Sequence, residues 1–92
     1  MGKLRLEGIS DSIEELQYNT SGELYVKFYE NDLIYKYKNI EIDKFADIQR
    51  SYDILTKRRI KGTLDDNVKQ KWSIGKFFNK EIKNKKEYTW KD

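Results

Sequence analysis

Histidine, cysteine and proline are all missing from the 92 residues. Without histidine or cysteine the chain lacks the commonest general base, the thiolate nucleophile and the soft metal ligands, so neither a metal nor another cofactor is expected. No disulfide can form, which suits a reducing compartment, and the expected location is the cytoplasm. Without proline, the marking of turns falls to Gly, Asn and Asp. Long apolar runs are absent as well. The start, MGKLRLEGIS, has no apolar stretch of the signal-peptide kind, and no segment reaches the length of a membrane span, so no membrane partner is expected.

Ninety-two residues are one domain's worth, and a chain this short buries only about 60 to 65 per cent of its unfolded surface. A core and a deep enzyme cavity do not both fit; assembly into a homo-oligomer would bury more apolar surface and create pockets between subunits. The net charge of +3 conceals a division. Residues 1–56 hold seven basic and eleven acidic side chains, whereas residues 57–91 hold twelve basic and four acidic. That segregation points to an anionic partner near the C-terminal half, with a solvated lysine-rich face as the alternative.

Hydrophobic periodicity organises the rest. Leu24, Val26 and Phe28 alternate with Tyr25, Lys27 and Tyr29; after a turn at Glu30-Asn31-Asp32, Leu33, Tyr35 and Tyr37 alternate with Ile34, Lys36 and Lys38. Two period-two runs around a short Asn-Asp turn predict a β-hairpin. Asn19-Thr20-Ser21-Gly22 marks another turn, so Ile13 to Tyr18 is expected as a third strand, although Ser12-Ile13-Glu14-Glu15-Leu16 also reads as a helix capping box. Beyond Asn39 the period changes. Phe45, Ile48, Tyr52 and Leu55 line one helical face, with Asp43 near the start, Lys57-Arg58-Arg59 at the end and a break at Gly62-Thr63. Leu64, Val68 and Trp72 mark a second short helix, and Ile74 to Lys83 a third. Tyr88 and Trp90 are expected to pin the tail. The expected fold is α+β: a three-stranded antiparallel meander packed against two or three helices.

Ile13-x-x-Leu16-x-Tyr18, Leu24-x-Val26-x-Phe28, Tyr35-Lys36-Tyr37, then Ile40, Phe45 and Ile48 resemble the KTSC domain, a short module named for its place at the C-terminus of some lysyl-tRNA synthetases. The closing stretch from Ser73 through Gly75, Phe77, Phe78, Asn79 and Ile82 is similar to that family's terminal helix. The resemblance covers residues 13–49 and 73–88, within a single domain spanning 1–92. It departs from the family at Asp32, where Gly is common, at Glu41-Ile42, where proline is frequent, and over about residues 50–72, which read as an insertion. The family has no settled activity; the synthetase context implies RNA binding.

Candidate chemistry follows from residue type. Glu14/Glu15 and Asp65/Asp66 are adjacent pairs, which diverge on a strand or a helix and do not flank a substrate, so no enzyme is expected; Asp65-Asp66 reads as a helix cap. Ser73, Gly75 and Lys76 place a hydroxyl, a small residue and a cation at a helix start, where backbone N–H groups can hold a phosphate; a serine cap with Gly75 packed against a strand is the alternative. Asn79, Lys80 and Lys83 continue that helix, with Lys76, Lys80 and Lys83 forming one basic face. Arg58 and Arg59 offer bidentate phosphate contacts. Tyr25, Tyr29 and Tyr35 are candidates for stacking on bases, and Tyr37 is expected in the core. The expected function is non-enzymatic binding of a phosphate-bearing ligand, either RNA or a nucleotide sequestered by an oligomeric sponge of the kind phages use in counter-defence. A protein-interaction or inhibitor module, built on Trp72, Phe77 and the insertion, is the alternative class.

Overall fold

The computed structural model describes residues 2–30, 32–83, 85 and 88. Four strands form one antiparallel sheet in chain order: β1 (Gly2–Arg5), β2 (Ile13–Tyr18), β3 (Leu24–Phe28) and β4 (Ile34–Tyr37). The α+β class is as expected, but the sheet has one strand more than the three read from the sequence. The extra strand is β1, which pairs Leu4 with Leu16 and Arg5 with Glu15. Its inward Leu4 and the following Leu6 are buried, and that burial fixes the strand. The β2 segment forms at its expected bounds, so pairing on both sides overrides the capping-box preference. Ser10 Oγ accepts the Ile13 N–H at 3.2 Å instead. Asn31 of the expected turn and Trp90, expected to help pin the tail, lie outside the described residues.

Register sorts the side chains. Leu4, Leu16, Val26 and Tyr35 share the inner face, as do Tyr18, Leu24 and Tyr37. Helix α1 (Ile42–Lys61) lays Phe45, Ile48 and Leu55 against the core, and Tyr18 stacks on Phe45 at 4.7 Å between ring centroids. Gly62 stops the helix in the left-handed conformation (φ 71°), and its N–H and that of Thr63 return to the Arg59 and Arg58 carbonyls. Helix α2 (Asp66–Lys71) is capped by Asp65, which accepts the Val68 N–H at 2.9 Å. Helix α3 (Ile74–Phe78) is capped by Ser73 and runs directly into a π-helical turn over Asn79–Lys83. Residues 50–72, read as an insertion, thus form the second half of α1, the turn at Gly62 and α2. No described helix is long and apolar enough to cross a membrane.

Two polar ties hold the C-terminal segment to α1. Tyr88, itself buried, donates its hydroxyl to Glu41 Oε2 at 2.7 Å, and Lys44 Nζ bonds Glu81 Oε1 at 3.2 Å. The Tyr88 hydroxyl holds Glu41 below the usual carboxylate range, and the Lys44 hydrogen bond does the same for Glu81. A carboxylate depressed by folding stabilises the native state at pH values above its unfolded value, and the contribution disappears as pH falls through the folded one. The urea midpoint is therefore expected to drop as pH falls below about 4. The double variant Glu41→Gln, Glu81→Gln should show a shallower drop; an unchanged acid limb would show that these ties carry none of it.

Candidate functional site

The C-terminal turns of α1, the Gly62 turn and the end of α2 enclose an open groove of about 560 Å³, lined by Ile54, Lys57, Arg58, Lys61, Thr63, Lys71 and Trp72. The helical period explains the first four: Ile54, Lys57, Arg58 and Lys61 fall at i, i+3, i+4 and i+7 and share one face of α1. The left-handed Gly62 then reverses the chain so that α2 delivers Lys71 and Trp72 opposite that face. Four cations line this groove with no carboxylate among them, and none of the four forms an ion pair among the described residues. Lys71 Nζ lies 5.8 Å from the Trp72 ring centroid, and Trp72 is half-buried and packed in part against the core.

A smaller cleft of about 280 Å³ shares Lys71 and Trp72 and adds Asp47, Arg50, Ser51, Ser73 and Phe77. Its one carboxylate, Asp47, is 3.8 Å from Arg50 Nη1. The two clefts meet at Lys71 and Trp72, with Lys57, Arg58 and Lys61 lining one and Arg50, Ser51 and Phe77 lining the other. A chain of phosphates would find cations along its length, and an unstacked base would find Trp72.

The structure disperses the eleven residues singled out above. Arg58 lies in the groove and Ser73 in the adjoining cleft. Arg59 faces away, donating from Nη1 to the Glu7 carbonyl at 3.1 Å beside Gly8. Ser73 Oγ accepts the Lys76 N–H at 3.2 Å, and Gly75 is buried, where an added Cβ would lie 2.7 Å from Ser12 Oγ. The alternative reading of that turn, a serine cap with a packed glycine, describes this geometry. Gly75, Asn79, Lys83 and Tyr35 instead line a third cavity, against the β3–β4 hairpin. Lys76 and Lys80 are exposed and line none of these spaces. Tyr37, expected in the core, is half-buried and packed edge-on to Phe78 at the core's margin, and burial raises its hydroxyl pKa, with Tyr35 adding to the effect. Tyr25 sits between Gln17 and Lys36 on the outer sheet face.

Tyr29 occupies a different environment from the stacking platform expected. It lines a cleft with Arg5, Glu7, Glu14 and Glu15, and partial desolvation, followed by the charges of Glu7, Glu14 and Asp11, raises its hydroxyl pKa. The negative field there opposes a phosphate. The same cleft corrects the expectation that Glu14 and Glu15 point apart. A register shift between Ile13 and Glu15 forms a β-bulge, and both carboxylates line one space. Glu14 is paired with Lys27 at 3.0 Å, and Glu15 with Lys3 and Arg5 at 3.6 and 3.7 Å. Among the described residues no cluster of three potential ligands is placed to hold a metal ion.

Sequence reasoning passed over Lys57, Lys61, Thr63 and Lys71 as site residues. Their signal was present: three cations at i+3, i+4 and i+7 from Ile54 on one helical face, and a Lys-Trp pair closing α2. No family model, curated protein or solved structure matches this chain.

Proposed function

We propose that this chain binds a single-stranded nucleic acid, without transforming it, along the track that runs from Lys57, Arg58 and Lys61 past Trp72. The observation that carries the reading is the groove itself: four cations and an indole on one surface with no carboxylate between them. Spread cations suit a polyanion better than a compact one, since a lone phosphate needs convergence and a strand needs length. Trp72 supplies the second element of single-strand recognition. Stacking one base on such a ring is worth about 1–3 kcal/mol and tolerates any sequence, because every base has a π-face. Arg58 adds planar, bidentate donors that fit a phosphate, and Thr63 a hydroxyl.

Every lining residue of the groove falls between 54 and 72, the stretch read as an insertion relative to the KTSC pattern. On this reading the shared fold is a platform and the inserted segment carries the binding surface. The RNA association that the KTSC resemblance implies is of the same chemical class. Binding of a fluorescently labelled oligouridylate, followed by anisotropy as salt is raised, tests the proposal, with an acidic peptide of equal charge as control. Equal binding of the peptide would favour a protein-interaction surface instead.

A further inference from the structure

We propose that the cavity between the β3–β4 hairpin and the C-terminal helical segment is a second ligand site, one that takes a single nucleobase. It encloses about 270 Å³ and shares no lining residue with the groove, so the inference does not rest on that reading. The volume is below the usual range for drug-sized ligands, about 300–1,000 Å³, and suits one base or nucleoside rather than a dinucleotide.

One wall is aromatic and held from behind. Phe28 meets Tyr35 edge-to-face at 5.4 Å, while Phe28 and Tyr37 both rest on the buried Phe78, at 5.8 and 5.2 Å. A planar heterocycle meets rings whose orientation is already fixed, so little ordering remains to be done on binding. The opposite wall is Gly75, Asn79 and Lys83, four residues apart in sequence. In a continuous α-helix such a series drifts steadily around the axis. Here the α-helical turn from Gly75 advances past a full circle, and the wider π-helical turn from Asn79 falls short of one, which returns Lys83 over Gly75 and keeps the row facing the hairpin. Gly75 lies against serine hydroxyls: the position its Cβ would take is 2.7 Å from Ser12 Oγ, so a side chain there would have to turn that hydroxyl aside.

The polar groups select the ligand. Asn79 carries a donor and an acceptor side by side, the pair that matches a base edge, and it is exposed at the cavity. Lys83, whose Nζ lies 5.9 Å from the Phe28 ring, and Glu30 contribute opposite charges, so the lining is close to neutral. A neutral lining favours the heterocycle over its phosphate and sets this site apart from the groove.

The test is a titration of isotope-labelled protein with adenosine, guanosine, cytidine and uridine, followed by amide chemical shifts at low and high salt. At least one nucleoside is expected to saturate, with shifts centred on Ser12, Phe28 and Gly75 and an affinity unaffected by salt. Tyr35→Ala and Asn79→Leu, both at exposed positions, should each weaken it about 10-fold while leaving the spectrum folded. The same site is filled by a base from a bound strand if an oligouridylate shifts both regions in the native chain but only the groove in Asn79→Leu. The proposal fails if no nucleoside saturates, if the shifts centre on Trp72, or if both variants bind as the native chain does. None of these failures would touch oligonucleotide binding in the groove.

Discussion

Reversing two charges in the groove, Arg58→Glu with Lys71→Glu, is expected to weaken binding of a labelled oligouridylate by on the order of 100-fold at moderate salt. The expected effect is large because each change removes a phosphate contact and places a repulsive carboxylate in a groove that has none. The two residues lie on opposite sides of it, one on α1 and one on α2, so a strand cannot avoid both by shifting its path. Neither is buried, and neither forms an ion pair among the described residues. The structural cost is modest and shared: Arg58 and Lys71 sit in the last turns of α1 and α2, where a cation complements the helix dipole by roughly 0.3–1 kcal/mol, and Lys71 also gives up its contact with the Trp72 ring. Anisotropy reports the affinity and thermal unfolding reports the fold. A folded double variant that binds like the native chain would place the ligand elsewhere. Reversing Lys76 and Lys80, which are as exposed but line neither the groove nor its neighbour, should cost far less.

The largest expected effect on stability belongs to Phe78→Ala, about 3–5 kcal/mol by urea denaturation. Phe78 is 0% exposed and supports Phe28 and Tyr37 from beneath. Removing its ring opens a cavity where the sheet meets the last helical segment, and the sheet cannot close it without breaking strand register. For a chain of this size that is a large share of the total, since small domains are stable by only about 5–15 kcal/mol. Phe77→Ala, one residue earlier and only half-buried, should cost clearly less. A loss below about 1 kcal/mol at Phe78 would mean that the interior repacks freely, contrary to the close-packed aromatic cluster described above.

Much of this architecture was legible because its signals are local. The alternation of Leu24, Val26 and Phe28 and the helical spacing of Phe45, Ile48 and Leu55 each repeat often enough to define a period. Gly62 and Asp65 mark helix ends by mechanisms that act within a few residues. β1 escaped because Leu4 and Leu6 give only two inward positions, and a strand that short exists only through its pairing with β2. The bulge at Glu14 escaped for a related reason: it is a property of two strands in register, and the sequence of one strand shows only that its neighbours should alternate. That single irregularity turned two carboxylates expected on opposite faces into neighbours in one cleft.

The binding surface was half legible. The cationic excess after residue 57 was plain, and Arg58 was picked out with Arg59, but the centre of the site was expected at the helix beginning at Ser73, because a Ser-x-Gly-Lys start resembles a phosphate cradle. In the folded chain Ser73 uses its hydroxyl to cap its own helix, and Gly75 is packed against Ser12. What brings Lys57, Arg58 and Lys61 opposite Lys71 and Trp72 is the reversal at Gly62, an angle between two helices that no period in the sequence encodes. The π-helical turn that aligns Gly75, Asn79 and Lys83 is equally silent in the residue pattern.

The dependence of oligouridylate affinity on salt is the most direct test of the central claim, that the groove is a phosphate track. Single strands release counterions in proportion to the phosphates neutralised, with a slope near −0.7 per contact, so four groove cations predict log K falling against log salt with a slope of about −3. In the Arg58→Glu, Lys71→Glu variant any residual binding should show a slope well under half of that. Affinity that is absent, or that persists unchanged from low to high salt, would contradict the account.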